Sequence, residues 1–293
     1  MVNYIEKHIN EGFNIRNCVL TFADDNENIL NTSLDGPAIS ETIYNKDLNK
    51  RIIVYSIFTR IKQVDNNYDS NPVLYVLKGE KNWQFSSPYN QNIFWERFSL
   101  LLHKFLSDHK NNFETTIVIP SLNKLNRYFS EEVKKYATEV GIKHIISGGL
   151  RTISTESVED ACYETNSFFR NYWGDKWEDK LDELREYLDK MDRENNGLFK
   201  YHLIDMKSGL RPSIIRTLEV DKDSAFQYRE FINSKNVLLL DDSITHGQTI
   251  NNAIYAISQA YHPKSVSVLT MFSSRNDNNI IDHFRDFDSP YNK

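Results

Sequence analysis

Val237-Leu238-Leu239-Leu240-Asp241-Asp242-Ser243-Ile244-Thr245-His246-Gly247-Gln248-Thr249 is the stretch on which the reading of this chain turns. Its first four residues form an unbroken apolar run, the pattern of a central parallel strand covered on both faces. Two carboxylates follow where that strand is expected to end. A loop over 241–249 then leads into a helix over 250–260, with Ile250, Ala253, Ile254 and Ile257 at inward spacing. In an open α/β sheet, ligands sit at the carboxyl ends of the strands. The turn offers hydroxyls at Thr245 and Thr249, a close backbone approach at Gly247, and the unpaired N–H groups of a helix N-terminus, all suited to a phosphate. Beside that anion cradle stand two acceptors, Asp241 and Asp242, suited to hydroxyl groups.

The helix is followed by Pro263 at a turn and by a returning strand over 266–272. An earlier unit has the same form: a strand over 115–119, a loop over 120–125, a helix over 126–140 with Phe129, Val133, Tyr136 and Ala137 on one face, and a strand over 144–146. Strand, helix and strand in that order imply parallel pairs with right-handed crossovers. Upstream, 18–22, 52–58 and 73–77 read as short strands rich in β-branched and aromatic residues. A helix is expected over 91–107, where Phe94, Phe98, Leu101, Leu102 and Phe105 recur at helical spacing. The charged segment 167–193 reads as a helix whose stripe of Trp173, Trp177, Leu181, Leu184, Leu188 and Met191 packs on the core or on a partner, a second copy of the chain included. The fold class is therefore α/β: a parallel central sheet flanked by helices. A strand-rich region, residues 1–90, precedes a core, residues 91–293, which carries a helical insertion at about 166–210.

The acidic pair and the turn together suit a 5-phosphoribosyl group, which carries a phosphate at one end and vicinal hydroxyls at the other. The segment resembles the phosphoribosyl-pyrophosphate motif of type I phosphoribosyltransferases: four apolar residues, two acidic ones, two mostly apolar ones at Ser243 and Ile244, then a Thr/Gly-rich turn. The resemblance implies that Asp241 and Asp242 bind the ribose 2- and 3-hydroxyls. It also implies that Ser243, Thr245, His246, Gly247, Gln248 and Thr249 form the 5-phosphate loop. His246 departs from the family, which usually has Thr, Ser, Ala or Arg there. Thr245 stands where hypoxanthine–guanine members carry Asp, which points away from those bases. The family's pyrophosphate loop has a counterpart in Ser121, Leu122, Asn123 and Lys124, within Ile117-Val118-Ile119-Pro120-Ser121-Leu122-Asn123-Lys124-Leu125-Asn126. Shorter echoes, Val76-Leu77-Lys78-Gly79 and Leu150-Arg151-Thr152, are similar to the competence-protein F-like branch and imply that Lys78 and Arg151 line the diphosphate side. Lys207, Arg211 and Arg216 fall where family members often carry a closing loop. The strand-rich region 1–90 would serve as the hood that reads the base.

The resemblance implies a transferase. Mg²⁺ would bind the diphosphate and the ribose hydroxyls, with Asp241 and Asp242 touching the metal through the ligand or water. A nitrogenous base or amine would displace pyrophosphate, and Lys124 and Arg151 would offset the departing charge. A non-catalytic sensor of the same ligand, coupled to a protein partner, is the alternative within this fold. Other functions lose support on composition and motif. Across 293 residues, 40% hydrophobic and 26% charged content is a globular balance, and 10 Gly with 7 Pro are too few for a turn-rich sandwich. A net charge of −6 argues against nucleic-acid binding, which needs clustered Lys and Arg. A receiver domain would need an N-terminal acidic pair, a central Asp and a late Lys over a shorter chain, and a Walker B strand needs a GxxxxGK[ST] loop, which is missing. GxSxG, HExxH and GxGxxG are missing too. Cys18 and Cys162 have no zinc spacing; two thiols in a reducing compartment are expected, with a chance disulfide as the other option. Residues 1–12 include Glu6, Lys7, His8 and Glu11 with no apolar h-region, and no apolar run approaches a bilayer span, so a cytoplasmic location with no membrane contact is expected.

Overall fold

The computed structural model describes residues 11–16, 19–24, 30–31, 39–45, 50–60, 72–79, 83–121, 125–152, 174–194, 218–220, 222–244 and 248–273. Five parallel strands form the centre of the sheet. They are β5 (Lys50–Arg60), β7 (Thr115–Val118), β8 (His144–Ser147), β11 (Asn236–Ile244) and β12 (Ser265–Ser273). Their spatial order is β8-β7-β11-β12-β5. The strand-rich region 1–90 supplies β5 and also β1 (Glu11–Arg16), β2 (Val19–Asp24), β3 (Leu30–Asn31), β4 (Ile39–Asn45) and β6 (Gln84–Phe85). β3 and β4 both pair antiparallel with β5, and β1 continues antiparallel from β3 to β2, so these strands prolong the same sheet past its parallel centre.

Helices cover both faces, which is why Val237, Leu238, Leu239 and Leu240 are all fully buried. Leu238 and Leu240 share one core with α1 (Pro72–Lys78), α2 (Pro88–Asp108) and α3 (Leu125–Val140). Val237 and Leu239 share the other with α5 (Lys222–Ile232) and α6 (Gln248–Ala260). Each such side chain, fully buried, contributes about 1.5–3 kcal/mol. The sequence of α2 explains its position. Ser87 caps it by accepting from the Asn90 amide at 3.2 Å, and Pro88 opens it without wasting a donor. Its buried stripe of Phe94, Phe98, Leu101, Leu102, Phe105 and Leu106 meets the sheet through Phe58 and Phe272, whose rings stack at 5.4 Å.

The remaining elements are α4 (Trp177–Glu194), entered by one 3-10 turn at Gly174–Lys176, and a two-stranded ribbon of β9 (Leu150–Thr152) and β10 (Leu218–Val220), paired Leu218 to Thr152. On α4, Leu181 and Leu184 are buried within the chain itself, so this stretch of the apolar stripe is already covered. Trp173 and the stretch 195–209 lie outside the described residues, as do Cys18 and Cys162. No described helix is long and apolar enough to cross a membrane.

Two expectations are corrected. The run 73–77 is the helix α1, not a strand. Pro72 opens it, the buried Val73 and Val76 fall three apart on one face, and Gly79 with φ +69° follows it. A short apolar run does not by itself separate strand from helix. The second correction is that β11 does not end at Leu240. It stays paired with β12 through Asp241–Thr270, Ser243–Phe272 and Ile244–Ser273, so the two aspartates belong to the strand and not to a loop.

Below the sheet, Glu114 ties three strands together. Its amide donates to Asn236 O at 2.9 Å and its carbonyl accepts from the Lys143 amide at 2.9 Å. Its carboxylate accepts from the Asn236 amide at 3.4 Å and pairs with Lys235 at 3.3 Å. Partial burial pushes the carboxyl pKa up, but the Asn236 amide and the Lys235 and Lys143 ammonium groups outweigh it and hold the group below the ordinary 4.5. A depressed carboxyl binds fewer protons folded than unfolded, so its contribution is present above pH 4.5 and fades as pH falls through the folded value. Glu114→Gln is expected to lose about 0.2–1 kcal/mol at neutral pH, the range for a partly exposed pair, and to unfold with a shallower acid limb. Urea melts at neutral pH and below pH 4 read both.

Candidate functional site

The sheet changes character beside Leu240. Below that residue β11 is paired on both sides, with β7 and with β12. The register with β7 ends at Leu240–Val118, and the last contact is the Ile119 amide donating to Leu240 O at 3.0 Å. Beyond it β7 leaves for α3 and β8 on one side, while β11 continues toward α6 and β12 on the other. The two helices sit in opposite cores. Adjacent strands whose connections diverge in this way open a crevice at their carboxyl ends, the place where α/β sheets hold ligands.

Asp241 and Asp242 stand at that crevice, only 5% and 7% exposed. Both lie within β11, whose register runs from Asp241–Thr270 to Ser243–Phe272, and consecutive strand residues send their side chains to alternate sides. Asp241 Oδ1 accepts from Asn126 Nδ2 at 3.1 Å and from the Asp242 amide at 2.9 Å. Asp242 Oδ1 accepts from the Ser243 hydroxyl at 2.9 Å. Buried carboxylates need such donors, because desolvation without them costs several kcal/mol. Since the two groups diverge, they do not make a two-pronged clamp on one cation. Their oxygens suit a hard ion such as Mg²⁺, which keeps several waters and takes few protein ligands. Among the described residues, no cluster of three or more His, Cys, Asp or Glu side chains forms a metal site.

Asn126 was not legible as a site residue. It lies in the first turn of α3, 2% exposed, and its Nδ2 also donates to Ile119 O at 2.9 Å. The available signal was an asparagine flanked by Leu125 and Phe129 on a face otherwise apolar. α3 is held in place against α2 by the buried Glu132, which accepts from the Ser99 hydroxyl at 3.2 Å; that hydroxyl also lies 2.8 Å from Tyr136 Oη.

A polar row extends from Asp241 across the sheet. Asp241 is in register with Thr270, and Thr270 with Ser56, all on one face and all buried. The Thr270 hydroxyl donates to Tyr55 O at 3.2 Å, so at 2.8 Å it accepts from the Ser56 hydroxyl. Neither residue drew notice in the sequence, since single Ser and Thr are common in strands.

Of the other expected site residues, Ser121 is exposed just past β7, Thr249 is half-buried in the first turn of α6, and Gln248 opens that helix. Leu122, Asn123, Lys124, Thr245, His246 and Gly247 lie outside the described residues, as do Lys207, Arg211 and Arg216. These include most of both expected anion loops, but the flanking residues are described: 121 past β7 and 125 opening α3, 244 ending β11 and 248 opening α6. Lys78 ends α1. Arg151, on β9, donates to Glu219 on β10 at 2.8 Å, so contact with a diphosphate would require it to share or exchange that partner.

No protein-family model matches the chain, and no curated protein does.

Thr270→Val should cost about 1–3 kcal/mol, because it strips the Ser56 hydroxyl and Tyr55 O of a buried partner. In that background Ser56→Ala should cost less than it does alone. Urea unfolding of the four-member cycle gives the coupling; strict additivity would mean that the row is not a network.

Proposed function

We propose that the chain binds 5-phosphoribosyl 1-pyrophosphate with Mg²⁺ and transfers the phosphoribosyl group to a nitrogenous base or amine, releasing pyrophosphate. The observation that carries this reading is the buried pair Asp241 and Asp242 at the carboxyl edge of β11, beside the seam where β7 and β11 diverge. Acceptor oxygens at that edge suit the hydroxyls of a ribose. The N-terminus of α6, entered from 245–247, suits its 5-phosphate, with Thr245, Gly247 and Thr249 supplying hydroxyls and close backbone approach. The connection from β7 to α3, which carries Ser121 and Lys124 in sequence, suits the diphosphate.

In this reading the protein contributes position and charge and forms no covalent bond to the substrate. The nucleophilic nitrogen forms a bond to C1 of the ribose as the C1–O bond to pyrophosphate breaks, and the nitrogen then loses its proton to water. The carboxylates and the α6 amides hold the two ends of the sugar so that C1 faces the nucleophile. Lys124 and Arg151 stabilise the negative charge that grows on the leaving oxygen. Asp241 and Asp242 would hold Mg²⁺ through water or through the ligand, and the ion would neutralise diphosphate charge when bound.

Hydrogen bonds to a charged group contribute about 1.5–3 kcal/mol. Asp242→Asn is therefore expected to weaken binding of phosphoribosyl pyrophosphate roughly ten- to a hundredfold by titration calorimetry. Unchanged affinity would discard the ribose assignment. Pyrophosphate release against a panel of bases and amines distinguishes a transferase from a sensor: tight binding with no turnover across the panel would mark a sensor.

A further inference from the structure

The amide of Asn126 is used on one side only. Its Nδ2 sits between two acceptors, Ile119 O at 2.9 Å and Asp241 Oδ1 at 3.1 Å. Those neighbours fix which end of the amide is nitrogen, because the flipped group would set oxygen against two oxygens. The other end, Oδ1, is buried and accepts no hydrogen bond among the described residues. A buried acceptor left unpaired costs about 1–3 kcal/mol, so such groups mark places completed by something else. Here the unpaired oxygen shares an amide with the nitrogen that touches Asp241, so it lies next to that carboxylate.

An unpaired acceptor selects for a donor. Resting on the reading above, the choice of donors is short. Phosphoribosyl pyrophosphate at neutral pH is an array of acceptor oxygens except at its ribose hydroxyls, and the other donor that accompanies such a ligand is water on a divalent cation. Asp241 Oδ1 already receives two N–H groups, so the planar amide beside it is the less committed acceptor at this edge. We infer that Asn126 is a specificity-determining residue that accepts a hydrogen bond from a ribose hydroxyl, adding to the carboxylates' preference for ribose over deoxyribose. The same residue bridges β7, α3 and β11, because its amide holds Ile119 O and Asp241 at once. A sugar bound against it would therefore fix the beginning of α3 relative to Asp241, linking the two connections that flank the seam.

The test is calorimetric binding of ribose 5-phosphate, 2-deoxyribose 5-phosphate and 3-deoxyribose 5-phosphate to the wild type and to Asn126→Ala, each with and without Mg²⁺. The wild type is expected to prefer ribose 5-phosphate over both deoxy sugars, because the carboxylates and Asn126 all accept from its hydroxyls. In Asn126→Ala the preference over one of the deoxy sugars should shrink by about three- to tenfold, the size of one neutral hydrogen bond, while the part set by the carboxylates and the Mg²⁺ dependence stay as in the wild type. A merely structural role would weaken all three sugars alike and leave the ratio intact, which would overturn the inference. So would a changed Mg²⁺ dependence with an unchanged ratio, the signature of an oxygen that faces a cation-bound water. Should the alanine variant fail to fold by thermal melt, Asn126→Ser is measured in its place, and the ratio decides in the same way. If the wild type binds none of the sugar phosphates, nor phosphoribosyl pyrophosphate, the functional reading itself falls. If it binds them and only the ratio fails to respond, the Asn126 assignment alone falls.

Discussion

The unequal pairing of β11 governs the rest of the molecule. Up to Leu240 the strand has a neighbour on each side, and it is apolar at every position from Val237 because helices cover both faces. Past Leu240 it keeps β12 and loses β7. The backbone therefore stays paired on one side while the other flank opens, and the residues at that point are Asp241 and Asp242. A strand that ended on both sides at once would leave its acidic residues on a turn in solvent. Here they remain nine-tenths buried or more, at a fixed register, with donors from Asn126, Ser243 and the backbone around them.

Burial of this kind has a cost that the neighbouring structure offsets. Asp241, Thr270 and Ser56 make a polar strip across three central strands whose other positions are largely apolar. Hydroxyls there contribute only while each finds a partner, and the Ser56–Thr270–Tyr55 chain supplies them. Glu132 plays a comparable role between α2 and α3, where a buried carboxylate meets a serine hydroxyl and the helices are held in one relative position. The crevice is thus set between two rigid supports, a hydrogen-bonded sheet on one side and a pinned helix on the other.

Much of this plan was legible in the sequence, and the reasons are local. Val237–Leu240 has the pattern of a strand buried on both faces, and the stripes of α2, α3 and α6 carry helical period strong enough to locate them within a few residues. What was not legible depended on distant partners. The continuation of β11 through Ile244 comes from β12, and nothing in Asp-Asp-Ser-Ile announces it. Residues 73–77 are too few to display a period, so Pro72 and Gly79 were the better guide. β10 and α5 are short and of mixed composition, and they take their form from β9 and from the core under Phe231 and Ile232. Asn126 and Thr270 acquire meaning only when the fold brings them to Asp241, across 115 and 29 positions of chain; the first separation is that of their hydrogen bond, the second follows from the register of β11 with β12.

The β9–β10 ribbon has one more implication. Thr152 and Leu218, 66 positions apart, are register partners, so the two ends of the excursion between them lie side by side. The entropy of closing such an excursion grows only with the logarithm of its length. A change of length between these two positions therefore adds little closure cost to the sheet while Thr152 and Leu218 keep their register.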